Sequence, residues 1–266
     1  VSDDTSPLWF GVYGREYEGK EPAFFDESEF EWTGILKNSF PEIRAALEPL
    51  MQDGDGELKP YFDEVLQYPP RNWKTIGFYF WGKKDYENLK RFPGMARVLS
   101  RIPGLVTASF NMLEPHSRIR PHFGETNAVY RVHLGVKVPA ALPSCGFTVK
   151  GESRSWEEGG LLVFLDANVH EAFNDTDERR YILLLDIMRP EYARQKRKIC
   201  IQALSMLSLY FVIAHIPRFP IATLHKNAHR IPPWFTNWIL LAPFKLIWNV
   251  YWPIHQKVNL KKIFRI

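Results

Sequence analysis

Cysteine is scarce. Among 266 residues only Cys145 and Cys200 occur, which excludes a disulfide scaffold and any four-cysteine zinc site. Two buried thiols in a reducing compartment are the expectation for them. No glycine-rich phosphate loop and no nucleophile elbow is present, so nucleotide-cradling and serine-hydrolase chemistry find no support. The first thirty residues lack an apolar run, and Asp3 and Asp4 stand where a secretory signal would carry positive charge. The chain starts at Val1 without a methionine, and a removed upstream segment is expected. Repeats and low-complexity tracts are missing too. Residues 53–64 begin DGDGE and end at Glu64 like a calcium loop, yet Leu58 stands where the sharp turn needs glycine. Asn174-Asp175-Thr176 is a glycosylation acceptor that matters only in a secretory lumen.

Acidic residues are nearly absent from the final quarter. Residues 191–266 carry twelve Lys or Arg against Glu191 alone, a net of +11, so the total of +4 leaves −7 upstream. An acidic body with a basic tail points to a polyanion or a membrane surface. The acidic body and the lack of a recognition module argue against nucleic acid. Residues 199–217 hold no Asp, Glu, Lys or Arg, but a spanning helix needs about 20 mainly apolar residues, so the run is borderline. Further apolar stretches at 231–244 and 246–254 bring Trp234, Trp238, Trp248, Tyr251 and Trp252 beside lysines, the composition of a membrane–water interface. The expected division is a body over 1–191 and an anionic-membrane-associating tail over 192–266, the alternative being a helical subdomain that packs its apolar faces against the barrel. Arg194, Lys196, Arg197 and Lys198 precede the apolar run, and if that run spans, the positive-inside bias places the body in the cytoplasm.

Apolar residues at 45% and charged residues at 24% give the body a core to bury. Ile43, Ala46, Leu47 and Leu50 predict a helix over 40–51, with Pro41 suited to its first turn. A second helical stretch is expected over 83–102, broken near Pro93-Gly94. Strand-like runs follow at 74–81, 105–113, 128–138, 146–150, 161–165 and 181–188, each bounded by Gly, Pro, Asn or Asp. Many short strands after a helical beginning predict an antiparallel barrel or jelly roll with flanking helices.

Three histidines lie near these strands and at turns: His122, His133 and His170. In 128–138, Tyr130, Val132, Leu134, Val136 and Val138 share one face, while Arg131, His133, Gly135 and Lys137 share the other. A strand apolar on one face and cationic on the other meets solvent or lines an anion pocket. Arg180 opens the last strand and offers a second cation, whose planar guanidinium can hold a carboxylate through two hydrogen bonds. By residue type alone, structural histidines and a solvated cationic face remain open alternatives.

The run 115–138 (PHSRIRPHFGETNAVYRVHLGVKV), then WEEGGLLVF over 156–164 and DANVHEAFNDTDERRYILLLDIMRP over 166–190, resembles the aspartyl/asparaginyl β-hydroxylase family. The likeness is strongest over 105–191 and does not reach the tail. It implies a mainly β, cupin-like double-stranded β-helix using iron(II) and 2-oxoglutarate. It further implies His122 and His170 as iron ligands and His133 and Arg180 as carboxylate holders for 2-oxoglutarate. Asn111 falls where the family often has a cosubstrate-binding serine, and Arg131 where peptide-hydroxylating members meet an acidic substrate. Gly124, two residues after His122, leaves out the third, carboxylate ligand usual among such oxygenases. This omission is itself a trait of the family, in which water takes the place. Asp166 is expected to orient that water or a histidine, or else to be a turn residue. The implied reaction consumes dioxygen and hydroxylates an unactivated C–H, either of a peptidyl Asp or Asn or of a lipid acyl chain, as in bacterial relatives. A catalytically silent membrane-bound module is the alternative from another class.

Overall fold

The computed structural model describes residues 6–11, 16–52, 56–214 and 236–254. The start of the calcium-like loop, the end of the 199–217 run and Trp234 lie outside the described residues.

Helices α1 (Glu31–Asn38) and α2 (Phe40–Gln52) come first, followed by β1 (Lys59–Pro60), β2 (Gln67–Tyr68), β3 (Trp73–Phe80) and β4 (Lys83–Lys84). After α3 (Tyr86–Arg91) and α4 (Pro93–Ser100) the chain turns to strands: β5 (Leu105–Leu113), β6 (Ser117–His122), β7 (Val129–Lys137) and β8 (Cys145–Val149). β9 (Glu152–Arg154), β10 (Leu161–Leu165), β11 (His170–Asn174) and β12 (Arg180–Met188) complete them, and helices α5 (Lys196–Ala214) and α6 (Ala242–Ile254) follow.

Two antiparallel sheets result. One runs β1-β3-β5-β12-β7-β10 with β4 beside β3, and the other runs β2-β6-β11-β8-β9. From β5 to β12 the chain therefore winds between the sheets in two interleaved sets, the order of a jelly roll. Alternating side chains of both inner faces build a shared core of Trp73, Leu113, Ile119, Phe147, Phe164 and Ile182. The outer face of the larger sheet is covered by α1, α2 and α4 through Leu36, Ile43, Leu47 and Met95 against Phe110, Leu134 and Leu183. Each such side chain contributes roughly 1.5–3 kcal/mol by leaving water.

Local chemistry explains the boundaries. The expected helix at 83–102 begins only at Tyr86. Lys83 pairs with Phe80 across a two-residue hairpin in which Trp81 (φ 44°) and Gly82 (φ 80°) adopt the left-handed conformations that such a turn demands. Asp85 then caps α3 by accepting from the Asn88 N–H at 2.9 Å, and Pro93 opens α4 at its first turn. Gly135 is set by close approach: a Cβ there would overlap the Glu157 backbone, which crosses β7 in an isolated parallel bridge at Glu158.

The tail is helical where it is described. α5 buries Ile199, Cys200, Ala203 and Leu204 against Trp81, Val106, Val129 and Met188 of the body. No helix among the described residues is long and apolar enough to cross a membrane.

Candidate functional site

β6 ends on His122 and β11 begins on His170, and the antiparallel pairing of these strands sets the two residues opposite each other. Their ring centroids lie 4.2 Å apart. Each ring is oriented by its own backbone: the His122 Nδ1 lies 2.8 Å from the Arg120 carbonyl and the His170 Nδ1 lies 2.7 Å from the Asn168 carbonyl. A carbonyl only accepts, so both Nδ1 atoms carry the proton and both Nε2 lone pairs are left for an electrophile. Burial drives the His122 pKa down to about 4, and burial followed by the nearby His122 and Arg131 charges holds His170 well below 6.5. Both imidazoles are neutral at physiological pH, as metal ligands must be.

Next to this pair is an unneutralised cation. Arg180 is 1% exposed, has no ion-pair partner among the described residues, and stacks its guanidinium 4.4 Å from the centre of Trp156. Its Nε, both ring nitrogens of His133 and the Nε1 of Trp156 are all buried without a hydrogen-bond partner among the described residues. Burial presses the Arg180 pKa down to about 10. A buried charge left alone costs several kcal/mol, so the arrangement calls for an anion with several acceptor oxygens. His133 sits on β7 opposite Leu184 of β12, with its ring 4.7 Å from Phe147 and 5.1 Å from Phe164. Burial, then Arg131 and Arg180, keep it neutral.

His122, His170, His133, Arg180 and Trp156 line one narrow cleft between the sheets. Ile119, Ala172, Ile182 and Leu184 make its other walls apolar. A larger hollow at α1 and α2, around Asn38, Glu42 and Arg101, is open to solvent and holds no such orphaned donors among the described residues.

The remaining expected residues are also at the cleft, but engaged. Asn111 accepts from Trp73 Nε1 at 3.0 Å and donates to the Ser109 carbonyl and hydroxyl at 3.0 and 2.9 Å, so its amide braces the wall instead of presenting a free donor. Arg131 forms a two-pronged ion pair with Asp186, at 2.7 and 3.0 Å, and its other edge meets Asp166. Burial opposes that charge, but Asp166 and Asp186 outweigh it and hold Arg131 protonated. Asp166 is fully buried and reaches within 3.8 Å of His170 Nε2. Its carboxylate fills the space in which a side chain at Gly124 would lie: a Cβ there would overlap it. The space beside Gly124 is thus taken by the Asp166 carboxylate, which Arg131 tethers. Burial first, with Asp186 and Glu125 adding to it, raises the Asp166 pKa despite Arg131.

Trp73, Trp156 and Asp186 were not singled out as site residues by sequence. Asp186 had a signal, being the lone charge within the apolar run YILLLDIM. Trp73 and Trp156 were two aromatics among many. No cluster of three or more His, Cys, Asp or Glu among the described residues is arranged to hold a metal, so a metal here would rely on the two imidazoles.

The protein is thus a jelly roll whose cleft joins two neutral imidazoles to an orphaned cation. The family model Aspartyl/Asparaginyl beta-hydroxylase matches residues 37–190, more than half of the chain, and the chain belongs to that family. It is similar to an ornithine lipid ester-linked acyl 2-hydroxylase of Rhizobium tropici, with 33% identity over 64% of this chain and 61% of that one. It is 27% identical to the human aspartyl/asparaginyl beta-hydroxylase over 67% of this chain but only 24% of the human protein. A prolyl-4-hydroxylase structure from Pseudomonas putida overlays 59% of the chain and 98% of its own with TM-score 0.39 and 15% identity.

Proposed function

We propose that the protein is an iron(II)- and 2-oxoglutarate-dependent hydroxylase acting on a lipid acyl chain. The observation that carries this reading is the fully buried, unneutralised Arg180 beside His133, next to two imidazoles whose Nε2 lone pairs are free. The donor set fits the groups it would hold. Neutral imidazoles suit ferrous iron, and Arg180, His133 and Trp156 supply N–H donors for a dicarboxylate.

His122 and His170 would hold the iron, with Asp166 beside them to orient water through its carboxylate. Arg180 and His133 would bind the carboxylates of 2-oxoglutarate, with Asn111 stiffening the wall through Trp73. The chemistry supplied by bound ferrous iron is the use of dioxygen to convert 2-oxoglutarate to succinate and carbon dioxide while a C–H bond becomes C–OH. One oxygen atom enters succinate and the other enters the product. The chain's own part is to bind, orient and keep water out, which the apolar walls accomplish.

The engagement of Arg131 favours lipid over peptide. Both its edges are taken by Asp186 and Asp166, so a substrate carboxylate would have to displace one of them. Ile119, Ala172, Ile182 and Leu184 instead offer an apolar surface to an alkyl chain. The similarity to the Rhizobium lipid hydroxylase supports the same choice.

Two measurements test the reading. His122→Ala and His170→Ala are each expected to abolish substrate-dependent succinate formation, and full activity in both would overturn the assignment. Mass spectrometry of lipid and acidic-peptide substrates should find one added oxygen on lipid alone. Hydroxylated peptide with unchanged lipid would reverse the substrate class.

A further inference from the structure

α6 is apolar on opposite faces. Its inner face places Trp248 (4% exposed), Phe244 and Trp252 against the body. Its outer face presents Leu246, Ile247 and Val250 at 67%, 49% and 51% exposure. Its sequence APFKLIWNVYWPI contains a single charge, Lys245, and no acid. A helix hydrophobic all round is normally covered on every side. Thirteen residues extend only about 20 Å, well short of a bilayer's hydrocarbon thickness of about 30 Å.

The charge around this face has one sign. α5 opens with Lys196, Arg197 and Lys198 and, like α6, contains no acid. Three cations at a helix N-terminus oppose the helix dipole, which favours anions there. Burial and then the neighbouring Lys198 hold the Lys245 ammonium below its ordinary range, and burial followed by Arg197 does the same for Lys83. Lys198 of α5 and Lys245 of α6 thus lie close enough to raise the cost of each other's charge. With twelve Lys or Arg against one acid over 191–266, a second copy of the tail would be repelled from this face. An anionic lipid surface accepts both features at once, by burying the apolar side chains at its interface and attracting the lysines and arginines.

We propose that the outer face of α6 is an interfacial docking surface for an anionic lipid bilayer, lying in the membrane interface without crossing it. The surface is joined to the cleft. Trp248 donates to Ser208 of α5 at 3.0 Å, and Tyr210 of α5 donates to Asp63 at 2.7 Å. Phe211 packs 4.8 Å from Phe62, and the adjacent Tyr61 stacks 3.7 Å from Trp73, which lines the cleft. Docking therefore holds the cleft wall near lipid. The proposal does not depend on the chemistry assigned to the cleft, because its readout is binding.

The full chain is mixed with vesicles of equal parts phosphatidylglycerol and phosphatidylcholine, and separately with phosphatidylcholine alone, and sedimented. Binding to the anionic vesicles and at least about tenfold weaker binding to the neutral ones are expected. The double variant Leu246→Glu/Val250→Glu should lose at least about tenfold in anionic-vesicle binding. Its circular dichroism and thermal midpoint should match the parent, because both side chains point away from the body. Wild-type chain that ignores anionic vesicles overturns the proposal, as does a folded double variant that binds them unchanged. So does a lipid-free dimer, found by analytical ultracentrifugation, that the double variant dissociates, since the occupant would then be a second copy.

Discussion

Three histidines at the cleft resist protonation, and each has a traceable cause. His122 and His170 stay neutral because they are desolvated, and their tautomer is set by carbonyls two residues back. His133 stays neutral because burial and two nearby guanidiniums make its protonation costly. That predicts a pH effect on the metal-free protein. The unfolded chain takes up a proton at His133 near 6.5 while the folded chain resists, so its stability contribution is complete above that pH and lost as the pH falls. The slope is about 1.4 kcal/mol per pH unit. Denaturant unfolding of the parent and of His133→Gln between neutral and mildly acidic pH should give a shallower decline in the variant by about that amount. Equal slopes would mean that His133 is already charged in the folded state. At this scale the sequence exposed His122, His133, His170, Arg180, Asp166 and Arg131 through their motif. It concealed that Arg131 and Asn111 are engaged by neighbours, because Asp186 meets Arg131 and Trp73 meets Asn111 only through strand pairing.

The elements explain why two distant histidines meet. The register of β6 against β11 places His122 opposite His170, and neither strand was among those that the sequence pattern revealed. SRIRPH and HEAFN are short and polar, with one face towards solvent and Pro121 near the end of β6, so alternation was weak and the residues read as turns. The long apolar strands, such as 105–113 and 161–165, were legible because the larger sheet is covered on both faces. Between the paired strands the Gly124 backbone passes against Asp166, donating its N–H to the Asp166 carbonyl at 2.7 Å. Gly124→Ala would drive a methyl into the Asp166 carboxylate. We expect a loss of about 1–3 kcal/mol in stability, together with weaker binding of manganese(II) as a redox-silent stand-in for iron. Thermal unfolding and metal titration measure the two. Parent-like values in both would show that the carboxylate moves aside freely.

At the scale of the whole molecule, an acidic jelly roll carries a basic helical tail, and the tail shares a core with the body through Trp81, Val106 and Met188. The charge asymmetry was legible as arithmetic. The packing of α5 on the barrel was not, because an uncharged run of that length reads equally well as a borderline membrane span. The account rests on an anion site built around Arg180 beside a two-imidazole metal site. The most direct measurement is calorimetric titration of 2-oxoglutarate into the ferrous protein under strictly anaerobic conditions, beside Arg180→Met and His170→Ala. Saturable one-to-one binding by the parent is predicted, weakened at least about thirtyfold by removing the Arg180 cation, and lost from the metal-dependent component in His170→Ala. Binding of equal strength in all three proteins would contradict the account.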